Sequence, residues 1–120
     1  MLSGSCGKDK DIGFDDRLTF KNNSADSIYY YWNFNHPDTT VKGGSGTVVA
    51  PGESKKYSIP GNWEDRINSI SSKTLIVFII SVDTLNKYSF EKIAADYNIL
   101  RRHDLTVDKL KAMNWTVTYP

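Results

Sequence analysis

The sequence predicts an α+β domain, with a mainly antiparallel β-sheet or sandwich-like core, two short C-terminal helices and a closing C-terminal strand. Three observations carry this prediction. Up to residue 81, apolar side chains recur with the two-residue period of strands or in one continuous apolar run, between clusters of Asn, Pro and Gly that suit turns. Beyond Ser89 the apolar spacing becomes three and four, the period of helices. Trp115, Val117 and Tyr119 then alternate with Thr116 and Thr118 as a last strand. A β-rich half, then helices, then one strand is an α+β order.

In chain order, Leu18 and Phe20 alternate with Thr19 and Lys21, which is a half-buried strand. Asn22-Asn23-Ser24-Ala25-Asp26-Ser27 is a turn cluster, and residues 28–34 form an aromatic-rich second strand. These two read as an antiparallel hairpin, with Ile28, Tyr30, Trp32 and Phe34 on the core face and Tyr29, Tyr31 and Asn33 on the other. His36-Pro37-Asp38 ends the strand, because proline lacks a ladder donor. Residues 42–46 read as a flexible loop. Residues 47–50 and 54–59 are short strands around Pro51-Gly52, a pair that suits a type II turn, and Pro60-Gly61 closes the second.

In residues 62–73, Trp63, Ile67 and Ile70 are spaced for a short helix or a packed loop. Residues 74–81 are continuously β-branched or aliphatic, as a central strand covered on both faces requires. Ser89 is an N-cap with Glu91 in the first turn, and Phe90, Ile93, Ala94 and Tyr97 share one helical face. Thr106 caps a second helix, with Asp108 in its first turn and Leu105 and Leu110 as a hydrophobic staple. Asn114 stops it.

Composition narrows the function. A chain of 120 residues is one domain by length, here 17–120 behind a Gly-, Ser-, Asp- and Lys-rich tether over 1–16 that cannot offset the entropy of ordering itself. With 15 Lys and Arg against 14 Asp and Glu, the net charge of +1 favours neither nucleic acid nor an anionic membrane surface. A single cysteine excludes an intrachain disulfide and a thiolate metal cluster. The longest apolar run, 75–80, is far short of the roughly 20 residues of a membrane-spanning helix.

That cysteine is Cys6, preceded by Ser3, Gly4 and Ser5 and followed by polar residues. Small side chains before a cysteine suit the cleft of a lipid-attaching enzyme, the sulfur becoming the thioether. An aliphatic residue three places before the cysteine is replaced by Ser3, and the apolar segment of about 7 to 15 residues that precedes such sites is not in this sequence. Met1 then reads as an internal methionine, a misplaced start or an added start codon. The competing reading of Cys6 is an idle thiol.

Tyr29, Tyr31 and Trp63 are the candidate ligand-contacting rings, with Tyr29 and Tyr31 about 7 Å apart on one strand face as a stacking surface for sugars. The same tyrosines also suit cross-strand packing beneath a helix or second sheet. His36 and His103 lack HxH or HExxH spacing, so no metal site is expected. No GxSxG turn presents a serine, and no catalytic residue or cofactor is assigned. Lys42-Gly43-Gly44-Ser45-Gly46-Thr47 lacks the order of a phosphate loop and reads as a connector. Arg101-Arg102-His103 reads as a solvated basic face.

The stretch from Asp96 through Thr106, with Leu110 and the ending Asn114-Trp115-Thr116-Val117-Thr118-Tyr119-Pro120, resembles the C-terminal ending of small uncharacterised lipoproteins of anaerobic gut bacteria, a domain of unknown function. Asn22-Asn23-Ser24, Pro37-Asp38-Thr39 and Pro51-Gly52 are similar to further features of those proteins, so the resemblance spans 18–120. It implies a lipid on Cys6 and, with Lys8-Asp9-Lys10-Asp11 after the cysteine, a place at the outer membrane, periplasmic or surface-facing. It implies no catalytic residues. The expected role is a non-enzymatic, lipid-anchored envelope module that binds a glycan or an envelope protein. A purely structural accessory subunit is the alternative, and an enzyme the third reading.

Overall fold

The structure, a computed structural model, describes residues 17–38, 40–41 and 45–120. Cys6, the predicted tether over 1–16 and residues 42–44 of the predicted loop lie outside the described residues. Seven strands follow in order: β1 (Leu18–Asn22), β2 (Ile28–Asn33), β3 (Ser45–Val49), β4 (Ser54–Tyr57), β5 (Leu75–Ser81), β6 (Arg101–Leu105) and β7 (Thr116–Tyr119). Four helices are interspersed among them, α1 (Trp63–Ser69) after β4, α2 (Val82–Lys87) and α3 (Phe90–Asp96) after β5, and α4 (Val107–Ala112) after β6. The fold is α+β, as expected, and its strands make two sheets ordered β4-β1-β7 and β3-β2-β5-β6.

The expected hairpin of β1 with β2 is not formed. β1 is flanked by β4, antiparallel, and β7, parallel, so both of its edges are occupied. β2 lies in the other sheet between β3 and β5, antiparallel to both. The two strands meet face to face instead: Phe20 stacks on Trp32 with ring centroids 4.9 Å apart and an interplanar angle of 18°, and lies 4.8 Å from Tyr30. Side chains on the inner faces of two packed sheets interdigitate to form a core, and these large rings contribute much of its buried area. The alternation was therefore legible, but the partner was not.

Pro51-Gly52 forms the expected turn and carries the chain from β3 in one sheet to β4 in the other. Glu53 N–H donates to the Ala50 carbonyl at 2.9 Å, and Gly52 has φ +76°, the positive value a type II turn needs at its third residue. The flanking strands shift against expectation: β3 starts at Ser45, inside the predicted loop, and β4 ends at Tyr57.

β5 is the central strand its composition predicts. Residues 75–80 are all fully buried. Leu75, Val77 and Ile79 join the core between the sheets with Leu18, Phe20, Tyr30 and Val117. Ile76 and Phe78 point to the opposite face, where Tyr31 and Val41 complete a second cluster under Phe90, Ala94 and Ile99. The molecule is thus layered as sheet, sheet and helix around two cores.

Arg101 and Arg102 are exposed, in keeping with a solvated basic face, but the segment is also a strand, β6, which the sequence did not indicate. Its register, Val77 opposite His103 and Leu75 opposite Leu105, makes it an edge strand of the larger sheet. Charged side chains suit an edge because they discourage pairing with another chain. They also erase the apolar alternation by which strands are recognised.

Both predicted caps form. Ser89 Oγ accepts from Lys92 N–H at 3.1 Å, and Thr106 Oγ1 from Lys109 N–H at 3.3 Å. The segment 62–73 resolves into α1, capped by Asn62 Oδ1 accepting from Asp65 N–H at 2.8 Å. After α4, Asn114 and Trp115 both have φ +54°, so β7 begins at Thr116 rather than at Trp115.

Candidate ligand-binding site

Two of the three rings expected to meet a ligand are buried. Tyr31 is 1% exposed, edge-on to Phe90 at 5.4 Å and stacked near Phe78 at 5.7 Å. α3 covers the sheet face that carries it, so no face of the ring is left for a sugar. Trp63 is also 1% exposed. It opens α1 and points into the core, where its indole Nε1–H donates to the Tyr57 carbonyl at 2.8 Å and its ring meets Trp32 edge-on at 5.9 Å. Tyr29 alone stays half-buried, its ring nearly parallel to Tyr31 at 6.4 Å. It lies across Gly46 of β3, where a β-carbon would collide with its hydroxyl and Cζ. Burial pushes its phenol above the usual range. A two-tyrosine platform is therefore replaced by packing.

A different aromatic group does reach the surface. Where β2 ends, Trp32 and Phe34 wall a pocket of about 240 Å³, completed by Ser45, Ile59, Pro60 and Arg66. Trp32 forms its floor, pinned by Phe20, Tyr57 at 5.4 Å and Trp63. Phe34 packs on Trp63 at 6.3 Å, and the Arg66 guanidinium lies over the Phe34 ring, 4.7 Å from its centroid. Arg66 follows Trp63 by three residues, which places both on neighbouring positions of one helix face. Trp63 thus anchors the helix that delivers the arginine. Helical spacing from Trp63 was the signal available in the sequence; what it lacked was that the end of β2 lies beneath that helix.

Two other depressions are each lined by an ion pair. One of about 620 Å³ lies between β6 and α4, where Arg102 pairs with Asp104 at 3.4 Å and Lys109 Nζ donates to the Asp104 carbonyl at 3.3 Å. The other, about 340 Å³, lies between α1 and α4 across the Lys111–Glu64 ion pair at 3.4 Å. His103 lines the larger one. Burial, aided by the Arg101 charge and opposed by Asp104, holds its imidazole below the usual range. Among the described residues, no three His, Cys, Asp or Glu side chains converge as metal ligands. Comparison with protein-family models, curated protein sequences and solved structures finds no match to this chain.

Proposed function

We propose that this chain is a non-enzymatic, lipid-anchored domain of the bacterial cell envelope, held at the outer membrane through Cys6, that binds a glycan. The observation that carries the ligand half is the pocket at the end of β2, where rigid aromatic and aliphatic walls stand beside polar groups at the rim. Such a mixture suits a small polar ring, whose C–H faces pack on apolar walls while its hydroxyls keep polar partners. The anchor half rests on the setting of Cys6 and on the resemblance to small lipoproteins. Among the described residues, no helix is long and apolar enough to cross a membrane.

A glycan array tests the pocket. Ser45 is exposed at the start of β3, directly opposite Trp32, and Ser45→Tyr places a strand-compatible ring across the opening. Wild-type protein is expected to bind a subset of glycans that Ser45→Tyr loses, with little change in melting temperature. Unchanged binding by the variant would remove the pocket from the account. A second reading, a protein partner, is favoured by Tyr97 and Leu100, which are 43% and 45% exposed close together after α3.

A further inference from the structure

We propose that the ligand of this pocket carries a carboxylate on a ring-sized body, and that Arg66 is the residue that recognises it. The inference rests on the reading of the chain as a binding module and deepens it. It starts from an imbalance of charge. Among the described residues, the Arg66 guanidinium has no hydrogen bond or ion pair, only its contact with the Phe34 ring. The acids beside it on α1 are engaged elsewhere: Glu64 with Lys111 at 3.4 Å, and Asp65 Oδ2 with the Asn62 amide at 3.1 Å. A cation with all its donors open therefore borders a cavity whose other walls are mostly apolar.

Arg66 Cζ lies over the Phe34 ring, 4.7 Å from its centroid, and the guanidinium N–H groups make no hydrogen bond among the described residues. Those donors form a planar fork that matches the two oxygens of a carboxylate. Contact with an aromatic face is attractive for a cation and biases the side chain toward one position before any ligand arrives. Cavity size sets the rest: about 240 Å³ lies below the roughly 300 Å³ at which pockets for drug-sized molecules begin. One ring fits. Across the opening, the Ser45 hydroxyl forms no hydrogen bond among the described residues and is placed to meet a polar substituent of that ring. Sugar acids and small aromatic acids share this chemistry, and two matched pairs of probes separate them.

The experiment is a titration of the full ¹⁵N-labelled chain followed by NMR, reading the indole signals of Trp32 and Trp63, with Trp115, outside the pocket, as the internal control. The probes are galacturonate with galactose, and phenylacetate with phenylacetamide. At least one acid should shift Trp32 and bind about tenfold or more tightly than its neutral partner, the size expected for hydrogen bonds to a charged group. Arg66→Gln should erase that preference, Arg66→Lys should retain part of it, and Lys87→Gln on α2 should leave it intact. Glutamine is a good helix former, and an unchanged melting temperature will show that α1 persists. Equal affinity within each pair, wild-type acid binding by Arg66→Gln, or no Trp32 shift with either acid would each overturn the proposal. Array binding that Ser45→Tyr removes and Arg66→Gln leaves unchanged would overturn the role of Arg66 alone, whereas no binding on the array or in the titration would remove the module reading as well.

Discussion

Asn22 uses every hydrogen-bonding valence of its side chain inside the fold. Its amide donates to the Asp26 carbonyl at 2.7 Å and the Val49 carbonyl at 2.9 Å, while its Oδ1 accepts from Ser24 N–H at 2.8 Å and Ser24 Oγ at 2.6 Å. Its backbone meanwhile binds the Pro51-Gly52 turn, donating to the Glu53 carbonyl and accepting from Gly52 N–H. One fully buried side chain thus closes the crossing from the first sheet to the second and ties it to the end of β3. Because truncation would leave several buried groups without partners, Asn22→Ala should cost roughly 2–4 kcal/mol in urea unfolding, against less than about 0.5 kcal/mol for the exposed Asn23→Ala. Equal losses would contradict the hub. A smaller tie is Tyr30, whose hydroxyl lies 2.6 Å from the Lys21 carbonyl and 3.2 Å from that of Val117, linking the larger sheet to β1 and β7. Tyr30→Phe should cost about 0.5–1.5 kcal/mol by the same measurement. The sequence marks 22–27 as a turn, since Asn and Ser cluster there. It could not mark Asn22 as buried, because its partners at Val49 and Glu53 are distant in the chain.

At the scale of elements, legibility followed the source of each element's order. β5, α3 and α4 are specified locally, by an unbroken apolar run or by a cap and an apolar stripe, and their positions were readable. Thr106→Ala should accordingly destabilise the fold by about 0.5–2 kcal/mol, measured as a fall in melting temperature; no change would mean that packing of Val107 and Leu110 alone sets α4. By contrast, α2 has no side-chain cap and no buried residue, and follows β5 directly with its first N–H donating to the Ser27 carbonyl. β6 is ordered by pairing with β5 against its own charged composition. Neither carries a local signal. The site divides in the same way: Tyr29, Tyr31 and Trp63 stand out in the sequence as aromatic, yet two of them are core. Arg66 acquires meaning only when α1 sits over Phe34, a long-range fact.

For the whole molecule, layering decides which groups lose contact with water, and His103 gives that a pH signature. Its imidazole is held below the usual range by burial, with the Arg101 charge adding and Asp104 opposing. In the unfolded chain it takes a proton near pH 6.5, before the folded protein does. Stability should therefore be complete above about pH 6.5 and fall as the pH drops toward the lower folded value. Melting curves at pH 7.5 and pH 5.5 should show a larger fall for wild type than for His103→Gln; equal falls would remove this histidine from the pH response.

The proposed lipid tether makes a chemical demand on Cys6: if the layered domain is held by an acylated sulfur there, labelled palmitate will be incorporated into the protein. The full-length protein, produced from its own gene in its own host, should carry the label at Cys6 and lose it in Cys6→Ala. Absence of label from the wild type, or equal labelling of both proteins, would contradict the claim.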